Sequence, residues 1–278
     1  MVVRAPAKLN LCLYVGERRA DGLHELRSLF CPLMLADRIE IGSADADEVI
    51  CSAVAGENLA ATALAALRER GWPSPPLRIE IDKRIPVAAG LGGGSADAAA
   101  VLRLADGEVG ELEALAASVG ADVPSQLDPA FALVSGAGEG VERLPDPGEF
   151  AVVLVPFEPG LRASEVYAEA DRLGAVRPAA ELEDIGGRLR DAARGGASPL
   201  SYAELLVNDL QAAALSLRPE IGEALATLER AGAAAALVTG SGPTVVGVFE
   251  DIVAADRAAG ALPPRWAGAI VSGPARTA

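Results

Sequence analysis

The clearest chemical signal in the chain is the run Gly90-Leu91-Gly92-Gly93-Gly94-Ser95, set directly before the alanine- and leucine-rich stretch 96–104. That stretch predicts a helix, and the glycines form the loop that opens it. Glycine lets a backbone curl closely around a bulky group. The free N–H groups and the dipole at a helix start favour an anion. A polyphosphate suits such a place; a flexible connection or a tight helix–sheet contact would use the same residues. The loop is not a Walker A sequence, because the chain contains no Gly-Lys dipeptide. The glycine spacing and the missing later acidic residue exclude a Rossmann fingerprint.

Several rare residues carry a second signal. Lysine and arginine total 24, yet only Lys8 and Lys83 are lysine; the asparagines are Asn10, Asn58 and Asn208, and His24 is the single histidine. A lysine retained in so arginine-rich a chain points to a position that needs a compact charge rather than a planar fork.

The elements that must position these residues follow from periodicity. Residues 7–15 alternate as a strand, with Leu9, Leu11, Leu13 and Val15 on one face and Lys8, Asn10, Cys12 and Tyr14 on the other. Asp21-Gly22 marks a turn. Strands are predicted at 38–41, 48–54 and 77–85, and Asn58 caps a helix running to about Arg70. A second helix spans 111–119, and 131–135 with 140–144 form a hairpin. Asp146-Pro147-Gly148 reads as a boundary, giving domains 1–147 and 148–278. Beyond it come a strand at 150–155, helices at about 163–173, 179–194, 201–215 and 219–231, strands at 234–238 and 245–249, a helix at 252–261 and a last strand at 266–271. Strands and helices mix in both halves, so the class is α+β.

Composition sets limits. A chain of 278 residues suits two domains, and 51% apolar with 23% charged residues argues for a folded globule. The net charge of −15 disfavours nucleic acid and anionic membranes as partners. Cys12, Cys31 and Cys51 lack CxxC spacing and read as free thiols. With no signal peptide and no apolar run long enough to span a bilayer, a cytoplasmic location is expected.

Residues 86–98, beginning Pro86-Val-Ala-Ala-Gly90-Leu-Gly-Gly-Gly-Ser95, resemble the phosphate loop of the GHMP kinases. Five further blocks are similar to members of that family: Ala5-Pro-Ala-Lys-Leu-Asn10, Arg19-Ala-Asp-Gly-Leu-His24, Gly120-Ala-Asp-Val-Pro124, Asn208-Asp-Leu210 and Thr239-Gly-Ser-Gly-Pro-Thr244. The resemblance spans both halves. It implies a two-domain fold, with an N-terminal domain like the second domain of ribosomal protein S5 and a ferredoxin-like C-terminal domain. It implies ATP as phosphoryl donor with Mg²⁺, and a small-molecule substrate. Lys8 and Asp122 match the family's catalytic pair. Asn58 and Lys83 match residues beside the adenosine, and Pro86, Gly90, Leu91, Gly92, Gly93, Gly94 and Ser95 match the phosphate loop. The triple glycine and the histidine block resemble the branch that phosphorylates the 2-hydroxyl of a cytidine-diphosphate-linked methylerythritol, in the non-mevalonate route to isoprenoids. There Asn10 would meet the polyol hydroxyls, His24 would hold the cytosine ring and Tyr167 would stack on it. Leu23 stands where the family often has an aromatic residue. No dedicated metal ligands are evident, and a monomer or homodimer is expected. The competing readings are a family member acting on mevalonate, homoserine or a sugar, and a non-catalytic nucleotide-binding protein of the same fold.

Overall fold

In a computed structural model, residues 1–54, 56 and 58–275 are described. The apolar N-terminal sequence forms β1 (Val2–Arg18), which turns at Asp21–Gly22 and returns as β2 (His24–Ser43). Gly22 supplies the positive φ of 85° that this tight reversal needs. β2 is far longer than the segment 38–41 predicted for it. It pairs with β1 along most of its length, with β5 (Ala132–Gly136) through Leu26–Phe30, and with β4 (Leu77–Asp82) through Arg38–Ser43. Adding β3 (Glu48–Ile50) and β6 (Gly140–Arg143) gives a six-stranded sheet ordered β3-β4-β2-β5-β6, with β1 on β2.

The expected alternation along β1 fails at Leu11. The ladder pairs Asn10 with Phe30 and Cys12 with Leu29, leaving Leu11 as an extra residue in a bulge. The faces therefore exchange: Cys12 and Tyr14 join Leu9 and Leu11 in the core, while Leu13 comes round to the side of Lys8 and Asn10. The predicted strand 77–85 stops at Asp82, because the N–H groups of Arg84 and Ile85 donate instead to Asp37.

One face of this sheet is covered by α1 (Leu59–Glu69), α2 (Gly93–Leu102), α3 (Leu112–Val119) and α4 (Val123–Leu127). Helix α2 is buried over nearly its whole surface, which explains its alanines: larger side chains would hold α1 and β1 away.

The second half opens with β7 (Ala151–Val155), followed by α5 (Ala163–Leu173) and α6 (Ala179–Ala192). The helix predicted at 201–215 is instead a 3₁₀ segment (Pro199–Leu205), an irregular stretch around Asn208, and α7 (Gln211–Leu217). After α8 (Ile221–Arg230) come β8 (Ala235–Val238), β9 (Val245–Phe249), α9 (Ile252–Gly260) and β10 (Ile270–Ser272). The start of the predicted last strand is a 3₁₀ turn at Pro264–Trp266. The antiparallel sheet is ordered β10-β7-β9-β8, the fourth-first-third-second order of a ferredoxin-like unit. Leu9, Leu29 and Leu33 from the first sheet share one core with Val152, Leu154, Val246 and Val248 from the second. No helix among the described residues is long and apolar enough to cross a membrane.

Candidate active site

Strand β1 carries Lys8 and Asn10 two residues apart, so both side chains leave the same side of the ladder. Lys8 is 5% exposed, and a buried ammonium needs compensation. It finds three partners: Nζ donates to Asn10 Oδ1 at 2.6 Å, lies 3.1 Å from Asp122 Oδ2, and sits 4.2 Å from the centre of the Phe30 ring. Asn10 in turn donates from Nδ2 to Ser28 Oγ at 2.8 Å, which fixes its amide with the oxygen towards the lysine. Asp122 holds the position before α4, where an aspartate commonly caps a helix, but its side chain makes no capping hydrogen bond and faces Lys8.

The glycine-rich loop packs against that lysine. Gly92 precedes α2 with φ of 67°, and a Cβ there would lie 2.6 Å from Lys8 Cγ. Gly90 has φ of 77°, and a Cβ on it would strike the carbonyl of Thr239 at 2.7 Å. At Gly93 a Cβ would meet Ile85 and Lys83, each at 3.0 Å. Besides opening a helix for an anion, the glycines thus let the loop nest among β1, Lys83 and the 239–242 turn. That turn is tied back in several ways: Thr239 Oγ1 accepts from Asn10 N at 3.0 Å, and Asn208 Nδ2 donates to the carbonyls of Val238 and Gly240. Asn208 thus ties the turn to the segment before α7.

Two cavities flank the Lys8–Asp122 pair. The smaller, about 270 Å³, is lined by Asn58, Lys83, Pro86, Gly90, Leu91, Gly92, Gly93, Gly94 and Ser95. Asn58 also caps α1, its Oδ1 accepting from Ala60 N at 2.9 Å. The larger, about 650 Å³, is lined by Lys8, Asn10, Leu23, His24, Asp122 and Tyr167 among others. Leu59, Gly90, Gly92 and Ser95 line both, so the cavities meet at the helix start.

Under the smaller cavity Lys83 bridges two buried carboxylates, Asp37 and, at 2.8 Å, Asp97. Asp37 Oδ1 takes the N–H groups of Arg84 and Ile85, whereas Asp97 Oδ1 is buried without a partner. Burial pushes the Asp97 carboxyl up to about 7, and Lys83 opposes the rise. In the larger cavity His24 Nε2 is 2.8 Å from Asp171 Oδ1, and its ring stacks on Tyr167 at 5.1 Å and 23°. Burial, and then the charge of Asp122, raise the phenol of Tyr167 and keep it neutral. Leu23 is half exposed at the rim.

The sequence reading missed Asp171, Asp37, Asp97 and Phe30. Asp171 alone had a legible signal: it falls one helical turn after Tyr167 in a predicted helix. Among the described residues no group of three or more His, Cys, Asp or Glu could hold a metal ion.

The chain matches the pattern of the GHMP kinases N terminal domain over residues 58–136 and that of the GHMP kinases C terminal domain over 188–267. It is 41% identical to the 4-diphosphocytidyl-2-C-methyl-D-erythritol kinase of Anaeromyxobacter sp. (strain K), covering 96% of this chain and 87% of that one. It is also 41% identical to the enzyme of that name from Mycobacterium tuberculosis, covering 88% and 80%. A crystal structure of 4-(cytidine 5'-diphospho)-2C-methyl-D-erythritol kinase superposes with a TM-score of 0.78 at 36% identity, over the full length of both chains. Leishmania major mevalonate kinase, at 14% identity and a TM-score of 0.72, shares the fold over 100% of this chain and 97% of its own. With both halves of the pattern present in order, and identity of this level over nearly its whole length, the chain belongs to the GHMP kinase family.

Proposed function

We propose that the chain is an ATP-dependent kinase that phosphorylates the 2-hydroxyl of 4-(cytidine 5'-diphospho)-2-C-methyl-D-erythritol in the cytoplasm. The observation that carries this reading is the Lys8–Asp122 pair, 3.1 Å apart where a helix-start cavity meets a larger one containing a histidine and a tyrosine. Phosphoryl transfer asks mainly for positioning and charge stabilisation. Asp122 accepts the proton of the substrate hydroxyl, or orients it, as attack begins. Lys8, buried and held by Asn10, pairs with that carboxylate at 3.1 Å and offsets charge building on the phosphoryl oxygens.

The free N–H groups of Gly93, Gly94 and Ser95 fit the phosphates of ATP, with Asn58 and Lys83 further along the same cavity towards the adenosine. If Mg²⁺ accompanies the nucleotide, it would supply charge compensation for the phosphates at this helix start. Ser95, whose hydroxyl has no hydrogen bond among the described residues and which lines both cavities, is a candidate oxygen donor for phosphate or metal. Asn10 serves the polyol, and His24, Tyr167 and Leu23 serve the cytosine. The 650 Å³ cavity is in the range of sites that hold a molecule of that size. The acidic surface gives nucleic acid no footing, and the enzyme acts as a monomer or homodimer.

The test is ADP release with ATP and Mg²⁺ against a panel of the cytidylylated substrate, mevalonate and homoserine. Turnover with the first alone supports the reading. Turnover with either of the others, or with none, refutes it.

A further inference from the structure

Helix α5 carries Tyr167 and Asp171 four residues apart, so the two side chains share a helix face. Both meet His24, the first residue of β2. The tyrosine stacks on its ring at 5.1 Å, and Asp171 Oδ1 lies 2.8 Å from its Nε2. The histidine side chain is 6% exposed and the aspartate 39%, so the imidazole is enclosed while the carboxylate keeps contact with water.

An ionised carboxylate only accepts hydrogen bonds, so Nε2 must donate to it. In the neutral ring the other nitrogen, Nδ1, is then a bare acceptor. Nδ1 has no hydrogen-bond partner among the described residues, and His24 lines the larger cavity.

We propose that Asp171 is a positioning residue that locks His24 in the Nε2–H tautomer, so that the cavity reads its base with an acceptor and selects cytidine over uridine. The proposal rests on the cytidine-linked substrate proposed above. Cytosine presents an exocyclic amine where uracil presents a carbonyl. The acceptor on Nδ1 meets a donor in the first case and another acceptor in the second, which leaves two polar atoms unpaired in an enclosed site. The opposite tautomer would invert the preference.

His24 is the only histidine in the chain, so a tag-free protein labelled with ¹⁵N in its imidazole gives one set of ring resonances. At pH 8 the wild type should show the Nε2–H pattern, and Asp171→Ala a mixture of both tautomers. Calorimetric titration with CDP and UDP then reads the consequence. The wild type should bind CDP at least about tenfold more tightly than UDP, the effect of one hydrogen bond made against one left unmade. Asp171→Ala should bring the two within about threefold, because either tautomer is then available. Asp171→Glu, which keeps a carboxylate on the same helix face, should retain most of the preference, and ATP affinity should be equal in all three proteins. A purely structural role for Asp171 would leave the CDP-to-UDP ratio intact, and that outcome overturns the proposal, as does an Nδ1–H wild type. Equal binding of CDP and UDP by a wild type with the Nε2–H pattern overturns the selectivity alone. Binding of neither nucleotide overturns the cytidine-linked reading itself.

Discussion

Gly92→Ala isolates what the glycine loop does for the lysine. Gly92 has φ of 67°, where an alanine costs about 1–2 kcal/mol relative to ordinary backbone. For domains of this size that should lower Tm by roughly 2–8 °C. The added Cβ would stand 2.6 Å from Lys8 Cγ, about 0.8 Å short of the 3.4 Å at which ordinary contact begins. Either the lysine retreats from its place 3.1 Å from Asp122, or the loop and the helix start it opens lift away from the lysine; in both cases Lys8 is displaced relative to the helix-start site. A misplacement approaching 1 Å at a reacting group costs about 10² in rate. A coupled ADP-release assay should therefore show kcat down by about two orders of magnitude in a protein that still melts cooperatively. Gly107→Ala is the control: its φ of 74° carries a similar conformational cost, but a Cβ there meets nothing within 4 Å and the residue lines neither cavity. It should lose stability and keep its rate. If Gly92→Ala turns over within about threefold of the wild type, the loop does not position Lys8 and the steric reasoning fails.

Asp122→Asn should lose most turnover, about 10²–10⁴-fold as for other general bases, while ATP titrations look unchanged; near-normal turnover would make Asp122 merely structural. Tyr167→Ala should raise KM for the cytidylylated substrate by about tenfold with KM for ATP steady, one stacking contact being worth roughly 1–3 kcal/mol. An equal rise in both constants would mark Tyr167 as a packing residue. The Asp97 carboxyl, raised by burial from the model-peptide range to about 7, binds a proton in the folded chain at pH values where the unfolded chain has released it. Its contribution is fully favourable below about pH 4 and is lost as pH rises through about 7. Asp97→Asn should flatten the fall in Tm between pH 5 and pH 8. An unchanged Tm profile in the variant would show that Asp97 ionises normally.

The sequence displayed the chemistry more openly than the geometry. Lys8, His24 and the glycine run stood out because their types are scarce or their spacing is unusual; the first two line the larger cavity and the glycine run lines both. Periodicity gave most strands and helices, but it could not show the bulge at Leu11, since every residue from Lys8 to Val15 is buried and polarity ceases to mark a face. The extent of β2 was equally hidden: its residues read as a strand only through three partners far apart in the chain. The helix predicted at 201–215 has ample propensity, yet Asn208 spends its amide on the carbonyls of Val238 and Gly240, and that tertiary contact breaks the run. Asp37 and Asp97 were invisible for a related reason. An aspartate in a strand or helix reads as a solvated charge until Lys83 is brought beside it.

The core common to both sheets has a consequence for modular exchange. A chain severed in the 146–148 segment would leave Leu9, Leu29 and Leu33 bare on one fragment and Val152, Leu154, Val246 and Val248 bare on the other. Fully burying a side chain of this kind is worth about 1.5–3 kcal/mol, so neither fragment would tolerate water on that wall. Produced together, the fragments should reassemble without a linker; produced apart, each should aggregate. A hybrid that takes its C-terminal half from a relative must bring a wall of matching shape, however well the residues around Lys8 agree. Because the lysine strand and the 239–242 turn meet at this seam, substrate preference cannot be traded by grafting one half without re-fitting the seam beneath it.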